Sequence, residues 1–143
     1  MRIILILLVL SQCSIKNELS EWETIFNGKN LDGWTVKVKG FPSGDNFGNT
    51  FKVVDEAIQV SYENYNNFDF KFGHIYYTEK KYKNYHLKLE YKFFGNQAIG
   101  GEGWATKNSG IMFHSQHPET MLIDQSFPVS FEAQFLGGLG DGK

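Results

Sequence analysis

A chain of 143 residues is the size of one domain, and its 41% hydrophobic and 21% charged side chains are those of a folded protein, which excludes disorder for the bulk of it. With 14 basic against 16 acidic side chains, a formal charge of −2 and no basic run, nothing supports a nucleic-acid partner. A single cysteine excludes an internal disulfide framework and a multi-cysteine zinc site, while 13 Phe, 7 Tyr and 3 Trp favour pleated, half-buried surfaces.

The chain opens with Arg2 and an unbroken apolar run over residues 3–10, too short to span a bilayer but fitting the core of a secretory signal. Leu10-Ser11-Gln12-Cys13 then resembles a bacterial lipoprotein signal, in which Cys13 becomes the lipidated N-terminus; Gln12 departs from the small residue usual there. The expected organisation is a signal over residues 1–13, a tether over 14–20 and a domain over 21–143. The expected location is the periplasm or cell surface, on a membrane through the lipid anchor; a plain secretory signal is the alternative.

Residues 22–26 alternate as a short strand and Asn27-Gly28 turns it. Asp32-Gly33 precedes a second strand over residues 34–38, and residues 39–50 are rich in Gly, Pro, Ser, Asn and Asp, as a loop is. Residues 51–54 and 58–61 form a hairpin around Asp55-Glu56-Ala57. Residues 62–71 lack a period, 74–78 form the next strand, and 85–94 are the clearest alternation in the chain. There Leu87, Leu89, Tyr91 and Phe93 oppose His86, Lys88, Glu90 and Lys92. A glycine-rich loop holding Trp104 leads to strands over residues 108–116 and 129–136. Short strands with glycine-rich turns predict an all-β sandwich or barrel, without internal repeats. The final strand ends in a glycine-rich tail that leaves an edge uncovered, which predicts that the domain continues past Lys143.

No HExxH, GxxxxGK[ST] or GxSxG occurs, and the glycines around Glu102 lack dinucleotide spacing. What remains are polar side chains on or beside strands: Glu90, His114, Gln116, Glu132 and Gln134. Carboxylates, amides, a histidine and stacking rings suit carbohydrate chemistry. Glu90 equally fits a solvated charged face, and His114 an exposed strand end. Trp104 serves as a sugar platform or as a core plug. Glu132 stands out because its strand is otherwise apolar, where a carboxylate needs partners.

The order of motifs resembles the 3-keto-disaccharide hydrolase domain family. Ile25-Phe26-Asn27-Gly28-Lys29-Asn30-Leu31-Asp32-Gly33-Trp34 looks like its opening signature, and Phe51-Lys52-Val53-Val54-Asp55 like its next strand, with Glu56-Ala57 where glycine is usual. Tyr85-His86-Leu87-Lys88-Leu89-Glu90-Tyr91 resembles its strand with an acidic residue. Asn108-Ser109-Gly110-Ile111-Met112-Phe113 resembles its most recognisable strand, with His114 where arginine is frequent. Phe131-Glu132-Ala133-Gln134-Phe135 looks like its Glu-x-Gln strand.

The resemblance implies a concanavalin A-like jelly roll of two antiparallel sheets, and cleavage of glycosides whose C3 hydroxyl has been oxidised to a ketone. The ketone acidifies the C2 hydrogen, so a base removes it, the C1 substituent leaves, and water adds back: net hydrolysis. Glu132 and His114 are the candidates for base or for ligand to a divalent metal on the ketone. Glu90, Asn108, Gln116, Gln134 and Trp104 are the candidates for sugar contacts. Glu90, His114, Glu132 and Gln134 are expected on one concave face. A non-catalytic carbohydrate-binding module of the same fold is the main alternative. A glycosidase on unmodified sugars needs two opposed carboxyl groups, and the Glu-x-Gln strand supplies one.

Overall fold

The computed structural model describes residues 22–138. The apolar run, Cys13 and the tether lie outside the described residues, and among those described no helix is long and apolar enough to cross a membrane. The chain is all-β: β1 (Trp34–Val38), β2 (Phe51–Val54), β3 (Ala57–Val60), β4 (Gly73–Tyr77), β5 (Asn108–Phe113) and β6 (Phe131–Leu136), with short 3₁₀ turns between. Among the described residues these pair antiparallel as β1–β4, β2–β3 and β5–β6, and no ladder joins the three pairs into a larger sheet.

The core begins where alternation in β1 turns Val36 and Val38 inward against Phe51 of β2, with Leu31, Phe41, Phe47, Ile58 and Ile75 packed around them. The buried Val36, Val38 and Phe51 each contribute about 1.5–3 kcal/mol, and the partly buried residues around them less. Phe47, Tyr62, Tyr65 and Phe68 extend this core edge to face, and Thr50 and Tyr65 share a buried hydroxyl–hydroxyl hydrogen bond of 2.6 Å.

The β2–β3 hairpin closes at Asp55-Glu56, with both residues left-handed (φ 49° and 60°). That is the turn whose second position favours glycine, so Glu56 carries strain that glycine would not. Glu56→Gly is expected to stabilise the chain by about 1 kcal/mol and raise Tm by a few degrees in a thermal melt. An unchanged or lower Tm would show that the Glu56 side chain, which lies beside Gly28, contributes more than its strain costs.

Two expected strands do not form. Residues 22–26 join no ladder among the described residues; instead Glu23 accepts from the Lys80 ammonium at 2.6 Å and the Tyr82 hydroxyl at 3.2 Å, and the Ile25 carbonyl accepts the Trp34 indole N–H at 3.2 Å. Residues 85–94 make no ladder either, although their apolar side is used. Leu87 lines a groove on β5–β6, Tyr91 stacks on Phe135 at 4.2 Å, and Phe93 fills the space beside Gly137. Alternation reports which side is apolar; this segment lays part of that side on a hairpin rather than joining one, and Leu87, Leu89 and Tyr91 stay largely exposed.

Candidate functional site

The β5–β6 ladder pairs Asn108 with Leu136, Gly110 with Gln134 and Met112 with Glu132. Directly paired residues share a sheet face, so Asn108, Gly110, Met112, Glu132, Gln134 and Leu136 lie on one side. Ser109, Ile111, Phe113, Phe131, Ala133 and Phe135 lie on the other.

On the first face Asn108, Gln134 and Glu132 lie along the hairpin, with Met112 and Leu136 as apolar neighbours, and the two amides are linked by a hydrogen bond. The Asn108 side-chain amide donates to the Trp104 carbonyl at 3.0 Å, and the Gln134 amide donates to Asn108 Oδ1 at 3.0 Å. Glu132, two residues before Gln134, extends its carboxylate across Gly110. A Cβ on Gly110 would collide with Glu132 Oε1 and stand 2.9 Å from the Ala133 carbonyl oxygen. Glycine is therefore required there to seat the carboxylate. Trp104, in the 3₁₀ turn Gly103–Ala105, stacks one face on Phe72 at 5.5 Å and is 57% exposed, leaving ring surface open to a ligand. Glu132 is exposed, because residues 85–94 lie on the opposite face of this two-stranded sheet; burial does not compel a partner for it as its apolar strand suggested.

The other candidates are placed elsewhere. β5 stops at Phe113, and His114 takes a left-handed conformation (φ 51°), which breaks the alternation that would put it beside Glu132. It lines instead a groove of about 470 Å³ on the second face, with His86, Leu87, Ile111, Phe113 and Ala133. Glu90 is exposed in the unpaired segment. The Gln116 side chain anchors its loop: its amide donates to the Thr120 carbonyl, and its oxygen accepts from the Gln125 amide and the Val129 N–H. One face thus collects Asn108, Glu132 and Gln134, joined to Trp104 through its carbonyl, without Glu90 or His114.

With His114 and Glu132 on different elements of the surface, the pair does not fit a shared divalent ion. Among the described residues no three His, Cys, Asp or Glu side chains converge as a metal site.

Sequence reasoning passed over Lys37 and His74, paired across β1–β4. Lys37 is 1% exposed, and its ammonium donates to the Val38 carbonyl at 2.9 Å and the Ile123 carbonyl at 3.0 Å. Burial lowers its pKa, opposed by the charge of Asp124. Burial, and then the Lys37 charge, push His74 down to about 4, so its imidazole is neutral near pH 7. Beside it on the same face, burial pushes the Tyr76 phenol up to about 12; its O–H points to Met121 Sδ at 3.1 Å. The one signal of this arrangement was the apolar content of the loop that covers it: Met121, Ile123 and Phe127.

Searches of curated proteins and of solved structures return no match. A family model described as a 3-keto-alpha-glucoside-1,2-lyase-like domain matches residues 21–143, all of the described strands included. On that match, and on the motif order that led to it, the chain belongs to the 3-keto-alpha-glucoside-1,2-lyase-like domain family.

Proposed function

We propose that this protein cleaves 3-keto-glycosides by elimination and hydration, with Glu132 as the base. The observation that carries this reading is the strip on one face of β5–β6, where a solvated carboxylate seated over Gly110 adjoins two linked amides and the turn of an open indole ring. Glu132 takes the proton from C2 while the C1–O bond breaks and the C1=C2 bond forms. The departing oxygen takes a proton from water, the resulting hydroxide adds to C1, and Glu132 returns its proton to C2. One water is consumed and one sugar–oxygen bond is cleaved. Each amide nitrogen carries two N–H bonds and uses one within the strip, so Asn108 and Gln134 each keep one for the oxygen that becomes an enolate. Trp104 supplies the stacking face for a sugar ring.

The test is release of free sugar from 3-keto-trehalose by the protein, with unoxidised trehalose as control. Release from the ketone alone is expected. Binding of the ketone without any release would favour a carbohydrate-binding module, for which the same ring and amides suffice.

We propose further that the protein is anchored outside the cytoplasm by lipid on Cys13. Cys13→Ala is expected to move it from the membrane fraction to the soluble one, or to stall its processing, on immunoblots of fractionated cells. Unchanged membrane association would instead support a plain secretory signal.

A further inference from the structure

The polar face of β1–β4 is covered by residues 115–127, and the cover is clasped from beneath. Lys37 Nζ reaches across to the Ile123 carbonyl, which also accepts the Gly40 N–H at 2.8 Å, while a second ammonium N–H goes to Val38. A lysine ammonium removed from water costs several kcal/mol unless carbonyls or charges replace its hydration, so the covering segment is held where it completes this set. Four residues on, Phe127 packs 5.0 Å from Phe72 and meets the His74 ring in a T-shaped pair at 5.7 Å. Phe72 is the ring on which Trp104 stacks, at 5.5 Å and 27°.

We infer that Lys37 is a positioning residue for the sugar platform: its buried ammonium fixes residues 121–127, which set Phe127 behind Phe72 and Phe72 behind Trp104. The inference rests on Trp104 being the stacking surface of the site proposed above. An indole exposed over half its surface is oriented by the ring on its covered face, so a loose Phe127 loosens the Trp104 ring, while the Trp104 carbonyl stays bonded to Asn108 and Glu132 and Gln134 keep their places on β6. Lys37 therefore acts on binding rather than on proton transfer.

The experiment compares the full chain, Lys37→Met, Trp104→Ala and the double variant. Met keeps the length of the lysine stem and removes the donors. Lys37→Met is expected to raise KM for 3-keto-trehalose about three- to tenfold with kcat within about twofold, and to add nothing in the Trp104→Ala background. Additive effects, or a loss confined to kcat, would overturn the inference. Independently of any substrate, acrylamide quenching of the Trp104 emission, taken as the difference from Trp104→Ala, is expected to rise in Lys37→Met and to return toward the original value in Lys37→Arg. Unchanged quenching would also overturn it. A protein that releases no sugar refutes the proposed function alone, and quenching then decides the clasp. Should Lys37→Met unfold on circular dichroism, Phe127→Leu interrupts the same relay: raised quenching supports the inference and unchanged quenching refutes it.

Discussion

Glu132→Gln is expected to lower kcat on a 3-keto-glycoside by about 10²–10⁴-fold while leaving KM nearly unchanged, the loss typical of removing a general base. Gln has the same shape and keeps the place over Gly110, so sugar contacts through Asn108, Gln134 and Trp104 persist. Gly110→Ala is the complementary change. Its methyl would occupy the position of the Glu132 carboxylate and press on the Ala133 carbonyl oxygen, so the base is displaced rather than removed, and a smaller loss of kcat is expected. Initial-rate kinetics on both variants check this. If Glu132→Gln keeps full kcat and His114→Gln abolishes it, the chemistry belongs to the groove on the opposite face.

The contrast between Glu132 and His114 shows what the sequence could express. Within a strand, position parity determines the face, so Glu132 and Gln134 were legible as a pair on β6; that Asn108 shares their face follows only from the β5–β6 register, which parity within one strand does not specify. His114 follows β5 immediately, and one left-handed residue is enough to cancel parity; no local pattern in Phe113-His114-Ser115 announces it. The hairpin at Asp55-Glu56 was legible for the opposite reason, since a turn is a local property of a few residues. Residues 85–94 have the pattern of a strand and none of its pairing, because pairing needs a neighbour that pattern does not specify. Lys37 reads as the solvent side of a strand between Val36 and Val38. Only packing of a loop more than 80 residues away makes it a buried cation, and the hydrogen bond to Ile123 is the record of that packing.

The same packing sets a second large effect, on stability against pH. His74 faces Lys37 across β1–β4 and the Phe127 ring from the covering loop; Tyr76 is its neighbour on β4, and Asp124 acts on Lys37 rather than on the imidazole. Its pKa is about 4 in the folded chain against an ordinary value of 6.5, lowered first by burial and then by the Lys37 charge. Between those values the unfolded chain holds a proton on His74 that the folded chain does not, so unfolding takes up protons and stability falls as pH drops. The contribution is intact above pH 6.5 and exhausted below about pH 4, a loss of about 3 kcal/mol, which is a large part of the about 5–15 kcal/mol that holds a typical domain together. Exposed Glu23 and Glu63, whose pKa values are lowered by their hydrogen bonds to Lys80 and Lys52, act in the same direction but below their ordinary value of 4.5, so the window from pH 6.5 to 5 belongs to the imidazole. Thermal melts across that window are expected to show a Tm that falls with pH in the parent chain and is nearly flat in His74→Gln. Titration of the His74 Cε1 proton by NMR gives the same quantity directly, and Lys37→Met is expected to move its midpoint upward by removing the neighbouring charge. A His74 midpoint near 6.5 in the parent chain would refute the account, because it would mean that the covering loop does not keep water from the imidazole.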